Sequence, residues 1–182
     1  MTTSRIFAVQ VTDLLDRPGA SRQVHVDLPP PGDLRLELGE TVAPLRLDAV
    51  LESVVDGLLL RGRLTTTVAT PCARCLGDLT ERVATDVVEL FVDPADATSG
   101  EEIEPGYEIA DGVIDLDTLL RDALVPAVPF RALCRPDCQG LCASCGANRN
   151  EGGCDCTQTT TDERWAALEG LRLPESTTTE QE

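Results

Sequence analysis

The chain has 182 residues, 42% of them hydrophobic, enough for a core that buries about 70% of the unfolded surface in one domain or a domain with a small appendage. Thirty-two acidic against fifteen basic residues, all arginine, leave a formal charge of −17. That charge repels phosphate backbones, counts against sequence-independent RNA or DNA binding across the surface, and suits basic protein partners as well as plain solubility; at 3% aromatics a base-stacking surface is excluded too.

The first ten residues lack the basic start and long apolar run of a secretion signal, and no run of about 18 apolar residues follows to span a membrane. A cytoplasmic setting follows, in which thiols stay reduced. Residues 1–40 are weakly patterned. Ile6 to Leu15 mixes apolar and polar side chains, while Gln23 to Leu28 alternates like a short strand until Pro29-Pro30-Pro31-Gly32 breaks it. His25 is the only histidine and reads as an exposed or strand-face residue.

Leu45 to Val55 and Leu58 to Ala69 both alternate, and Asp56-Gly57 between them predicts a type I′ hairpin turn, which needs positive φ at both central residues. Pairing Val55 with Leu58 puts Glu52 opposite Arg61, a cross-strand ion pair worth about 0.2–1 kcal/mol. Leu79 to Val92 alternates again, with Leu79, Val83, Val87 and Phe91 on one face. Cys72-Ala-Arg-Cys75 then turns the second strand of an antiparallel meander into the third. Lying between strands rather than at a helix N-terminus, it lacks the setting of a thioredoxin-like redox pair.

Asp93 to Gly112 carries Pro, Gly and Ser with Asp96, Glu101, Glu102, Glu104 and Glu108, and reads as a solvated acidic loop in which no spacing forces two carboxylates together. Asp115 is placed to cap a helix over 116–125, whose Leu116, Leu119, Leu120, Ala123 and Leu124 share a face, with Pro126 and Pro129 ending it. A second short helix is predicted from Asp162 to Leu171, with Trp165 as a packing anchor in line with Leu168 and Leu171. From Pro174 the Thr- and Glu-rich tail reads as disordered. The expected architecture is α+β. A β-rich domain fills 1–130, with the acidic loop 93–112 and helix 116–125. A cysteine-rich module carrying the short packed helix covers 131–173, and 174–182 is tail.

Eight cysteines carry the chemistry: Cys72 and Cys75, then Cys134, Cys138, Cys142, Cys145, Cys154 and Cys156 in a loop rich in Gly and Asn. Spacings of two and three residues let two thiolates reach one ion from a tight turn, and four sulfurs at about 2.3 Å close a tetrahedral zinc site. The competing readings are disulfides, which need an oxidising compartment, and free buried thiols. The preferred grouping joins Cys142, Cys145, Cys154 and Cys156 in one site and Cys72, Cys75, Cys134 and Cys138 in another. A rival grouping takes Cys134, Cys138, Cys142 and Cys145 together and leaves Cys72 and Cys75 to Cys154 and Cys156. Either way one or two zinc ions would sit in closed sites, structural rather than catalytic, each contributing on the order of 10–16 kcal/mol to the order of the loop.

The succession Cys72-x2-Cys75-Leu76, Gly112-Val-Ile-Asp115-Leu116 with its Leu-rich helix, Pro126 and Pro129, and Cys-x3-Cys-x-Gly-Leu-Cys-x2-Cys-Gly-x-Asn-x-Asn resembles the YceD family, of bacterial and plastid proteins named for large ribosomal RNA subunit accumulation. Asp162-Glu-Arg-Trp-Ala-x-Leu168 is similar to the family's usual end, so the resemblance spans roughly residues 20–172. Arg149 stands where an apolar residue is more usual and Glu163 where Pro is common. Some relatives lack most of the second cysteine cluster, so metal there serves stability in this branch rather than the shared role.

The resemblance implies a non-catalytic factor in accumulation or processing of 23S rRNA during large-subunit assembly. Its implied partners are ribosomal proteins or rRNA-processing factors of that subunit, with no membrane and no small-molecule substrate. RNA would be approached through such a partner or through a local patch of Arg131, Arg135 and Arg149. The residues agree in lacking a nucleophile–base constellation and a phosphate-binding P-loop. The competing functions are a zinc-stabilised adaptor or transcription-regulatory protein, which would co-sediment with RNA polymerase, and a redox sensor using Cys72 and Cys75, whose thiols would alkylate rapidly.

Overall fold

Leu45, Leu47, Ala49 and Leu51 fall at alternate positions, as do Leu58, Leu60 and Leu64 around Gly62, and put one face of a hairpin in the core and the other in water. The computed structural model describes residues 7–95, 104–156 and 163–168. Its strands are β1 (Ala8–Gln10), β2 (Ser21–Leu28), β3 (Glu40–Thr41), β4 (Leu45–Val54), β5 (Gly57–Pro71), β6 (Asp78–Phe91) and β7 (Val113–Asp115), followed by helix α1 (Asp117–Ala127) and a short 3₁₀ helix, Glu163–Leu168. β5 is the spine of an antiparallel five-stranded sheet. β6 runs along one side of it, while β4 and then β3 share the other, with β2 outside β4.

The turn between β4 and β5 differs from expectation. Val54 faces Gly57 and Val50 faces Arg61, so the two-residue loop is Val55-Asp56. Asp56 does not have positive φ, which rules out type I′; Gly57 alone takes φ 145° at the first position of β5. A Cβ there would meet the carbonyl oxygen of Phe91 at 2.2 Å, so glycine serves the close approach of β6 as well. Glu52 therefore faces Leu59, yet Arg61 still reaches its carboxylate diagonally.

Leu45, Leu47, Leu51, Leu58, Leu60, Leu64, Val83, Val87 and Phe91 bury the inner face of the sheet in one core with Leu116, Leu119, Leu120 and Leu124. Each such side chain contributes about 1.5–3 kcal/mol on burial. Two contributions had no sequence signal. β1 pairs with β7, Ala8 facing Asp115, and the turn after it buries Val11 and Leu14. Of the expected acidic loop, Glu104, Pro105, Glu108, Ala110 and Asp111 are exposed, but the segment is anchored at two points. Tyr107 and Ile109 are buried, and Val92 donates to Tyr107 O (3.0 Å) and accepts from Ile109 N (2.8 Å). The rest of the expected loop, 96–103, lies outside the described residues.

Helix α1 starts after Leu116, whose φ −85° and ψ −1° already suit a helix and whose side chain caps nothing. Asp115 acts one position early, its carboxylate accepting from Asp117 N at 3.0 Å. Pro126 sits inside the last turn rather than ending it, since proline there removes a single N–H. The stop comes at Val128, extended at ψ 124° because the ring of Pro129 disfavours the helical region for the residue before it. Trp165 is 59% exposed, not a packing anchor. Leu171 and the tail 174–182 lie outside the described residues. No helix among the described residues is long and apolar enough to cross a membrane.

Candidate metal centre

The first group of sulfurs is built on the turn between β5 and β6. Cys72 follows Pro71 and donates its N–H to Gly77 O at 2.8 Å, while Leu76, at φ 58°, donates to Cys72 O at 2.9 Å, folding both thiols to one side. The segment after α1 is fastened to this turn by Ala73 N to Ala132 O, 2.8 Å, and by Arg74 Nη1 to Cys138 O, 2.9 Å. Cys134 and Cys138 thereby face the turn. Cys72 Sγ lies 3.8 Å from Cys138 Sγ, Cys75 Sγ lies 3.7 Å from Cys134 Sγ, and all four sulfurs fall within 4.8 Å of one another.

The second group is Cys142, Cys145, Cys154 and Cys156, again mutually within 4.8 Å. Cys142 and Cys145 sit on a knuckle closed by Gly146 N to Cys142 O (2.9 Å) and Cys142 N to Ala147 O (2.8 Å). Gly146 takes φ 73°, where a side chain would be strained. The sulfurs therefore gather as Cys72/75/134/138 and Cys142/145/154/156, and the rival grouping is not formed.

All eight cysteines are free. In a tetrahedron with sulfurs about 2.3 Å from the centre, neighbouring sulfurs lie about 3.8 Å apart, and the 3.7 and 3.8 Å separations match that edge. A disulfide would need about 2.05 Å. Electrostatics point the same way. The N–H groups of Cys134, Cys75 and Arg74 lower the Cys72 thiol to about 6, and those of Cys145 and Ser144 with the Cys154 thiol do the same for Cys142. Cys138 is also lowered: burial opposes it, but the Gly140 N–H and the Asn150 amide favour the thiolate. Conversely Cys134, beside Cys138, and Cys156, beside Cys145, are pushed up to about 12. Thiolates this close repel a further negative charge, and a central cation removes that penalty. Each group can hold one metal ion.

Asn150 is the residue that sequence reading missed. It lies between Cys145 and Cys154 of the second group, yet its Nδ2 donates to Cys138 Sγ of the first at 3.4 Å. Its Oδ1 accepts from Gln139 N (2.8 Å) and Arg135 Nη2 (2.7 Å). The Asn-x-Asn pattern marked the position without assigning a partner. Arg135, expected in a basic patch, is thus engaged with Asn150 and lies 3.6 Å from Asp137, while Arg131 and Arg149 are exposed and enter no ion pair among the described residues. His25 joins neither sulfur group; it sits on β2 with Nδ1 2.7 Å from Asp48 Oδ1.

Fold and site together define an α+β protein whose antiparallel sheet is clasped by one four-cysteine centre and carries a second on the attached knuckle. The chain belongs to the YceD family: the family model described as large ribosomal RNA subunit accumulation protein YceD matches residues 60–172, a stretch containing all eight cysteines. An uncharacterized protein of Mycobacterium tuberculosis is similar at 38% identity over 177 residues, 94% of this chain and 84% of its own. One from Mycobacterium leprae is 37% identical over 142 residues, 76% of this chain and 65% of its own. A chloroplastic protein of Arabidopsis thaliana, named large ribosomal RNA subunit accumulation protein YCED homolog 1, is 36% identical over 59 residues, 32% of this chain and 18% of its own. No solved structure matches the chain.

Proposed function

We propose that the protein is a non-catalytic factor of large-subunit ribosome assembly, supporting accumulation of 23S rRNA in the cytoplasm through contacts with ribosomal proteins or rRNA-processing factors, and that zinc fills both cysteine groups in a structural role. The observation that carries this reading is the family match, which spans both sulfur groups and has accumulation of large-subunit ribosomal RNA in its description. Three features support the finer parts. The sulfur spacing suits tetrahedral zinc, and four thiolates per ion leave no open position for water or substrate. The lone histidine is tied to Asp48 rather than to a nucleophile. A charge of −17 favours basic proteins over bare RNA as first contacts.

Cells lacking the protein should accumulate precursor 23S rRNA and lose mature 23S relative to 16S, with a deficit of large subunits on sucrose gradients. Unchanged 23S levels and profiles would sink the assembly role. Partners retained after nuclease treatment of a pull-down are expected; their disappearance with the RNA would refute the protein-mediated route. Metal analysis of protein purified without added zinc should give two zinc ions per chain.

A further inference from the structure

β6 is fourteen residues long and, among the described residues, forms a strand ladder on one side only. Its pairing with β5 runs without a bulge from Asp78 to Phe91. On the other side, among the described residues, another segment bonds only its continuation: Val92, just past the strand's end, bonds Tyr107 and Ile109. In an antiparallel pair the N–H and C=O of one residue point to the same side, and that side alternates along the strand. Val92 turns both groups away from β5, so Leu90, Val88, Asp86, Ala84, Arg82 and Thr80 present theirs to the open side. An independent route gives the same parity. Ser53 bonds Gly19 and Ala20 on the far side of β4, and carrying that alternation through the two registers again leaves the even-numbered positions of β6 open.

Edges of this length normally recruit another strand unless charge or cover prevents it. The segment 107–109 already adds to the edge as a parallel bridge between Val92 and Glu108. Side chains on the outward face suit a companion strand: Val88 is 61% exposed and Leu90 37%. The charges choose the companion. Along β6, Asp78, Glu81, Asp86 and Glu89 outnumber the one basic residue, Arg82, and among the described residues only Asp86 enters an ion pair, with Arg63 at 3.0 Å. Glu89 is held above the usual carboxylate range by burial and by Glu104 and Asp122 beside it. A second copy of such an edge is repelled, whereas a lysine- or arginine-bearing strand is drawn in.

We propose that the open side of β6 is a docking edge that takes an extended, basic segment of a partner protein as an added strand beside Thr80–Leu90. This deepens the protein-mediated reading given above and rests on it.

The probe is a labelled synthetic peptide of alternating threonine and lysine, with glutamate-for-lysine and proline-interrupted peptides as controls. The basic peptide should bind the full-length protein one to one. It should slow amide exchange at Thr80, Arg82, Ala84, Asp86, Val88 and Leu90 by about tenfold or more, leaving the odd-numbered amides, already bonded to β5, little changed. Ala84→Pro removes an N–H that bonds nothing in β5 and is expected to cut affinity about tenfold with the melting temperature kept. Glu81→Lys with Glu89→Lys should shift preference to the acidic peptide. The docking edge is overturned by absent binding, by binding that leaves those six amides unprotected, by concentration-dependent dimerisation through β6, or by both variants binding as the parent does. If a strain carrying Ala84→Pro keeps normal 23S rRNA while a deletion strain loses it, the docking edge fails and the assembly role stands.

Discussion

Two side chains outside the set of sulfur ligands concentrate the chemistry of single residues. Asn150 bridges the loop of one cysteine group to a sulfur of the other, its amide N–H satisfying Cys138 Sγ and its carbonyl oxygen holding Gln139 and Arg135 in place. Groups that orient metal ligands typically govern about 10–100-fold in affinity. Asn150→Ala should keep two ions per chain but release one of them about 10–100-fold faster to a chromogenic chelator. Asn150→Asp, which keeps the acceptor and loses the donor, should release it at a similar rate; unchanged rates in both would reduce Asn150 to a spacer. Tyr107, the one tyrosine, gives a clean optical reporter. Burial and its hydrogen bond to Asp122 (3.0 Å) push its phenol well above the ordinary value of about 10. The native state therefore favours the neutral form: this contribution is complete below pH about 10 and is lost as pH rises beyond it. Phenolate absorbance should stay flat through that region and climb only with loss of the near-ultraviolet dichroism of the fold. A rise near pH 10 in folded protein would contradict the burial of Tyr107.

At the level of strands and helices, β4 and β5 approach too closely for a side chain at Gly62, which faces Ala49. A Cβ on Gly62 would stand 2.5 Å from Ala49 Cβ and from Asp48 O, so the strands must separate to admit it. Gly62→Ala is expected to cost about 1–3 kcal/mol by overpacking, read as a lowered urea midpoint. Gly32→Ala, with nothing within 4 Å, should stay within about 0.5 kcal/mol. Equal midpoints would mean the pair relaxes freely. β4, β5, β6 and α1 were legible because each repeats its apolar period several times. Register was not, for a specific reason. Moving Val55 opposite Leu58 to Val54 opposite Gly57 shifts the pairing by two, which leaves every side chain on its own face, so hydrophobic alternation cannot tell the two apart. Three-residue strands such as β1 and β7 are too short to show any period, and Ala8 finds its partner at Asp115. In the site, cysteine spacing revealed eight candidate ligands, and turn chemistry placed Gly146 beside them. Asn150 and Arg74 stayed hidden because they act through a sulfur contact and a carbonyl contact formed only once the loops meet.

Across the whole molecule, two cores of different character meet at one end of the sheet. The leucine-rich core contains no cysteine, whereas Cys72, Cys75 and Cys138 form a separate buried cluster with Leu79, Leu133 and Leu141 around it. With zinc in both groups, as proposed, removing it should therefore divide the molecule rather than melt it. The first cysteine group joins the β5–β6 turn to the segment after α1, so losing it frees residues 131–156. The second group draws all four sulfurs from the knuckle itself, which the Asn150 contacts still tie to the first group, so losing it loosens the knuckle alone. Cys154→Ser with Cys156→Ser should halve the zinc content and raise amide exchange only in the knuckle, residues 141–156. Cys72→Ser with Cys75→Ser should raise it across residues 131–156, while the strands β2, β4, β5 and β6 keep their protection and the far-ultraviolet dichroism holds. The apolar content of 131–156 is too small to replace a centre whose apparent contribution is on the order of 10–16 kcal/mol. If chelation instead unfolds sheet and loop in one transition, the leucine core depends on the clasp and the two bodies are one. If neither double substitution changes exchange anywhere, the sulfurs hold no metal that matters to the fold.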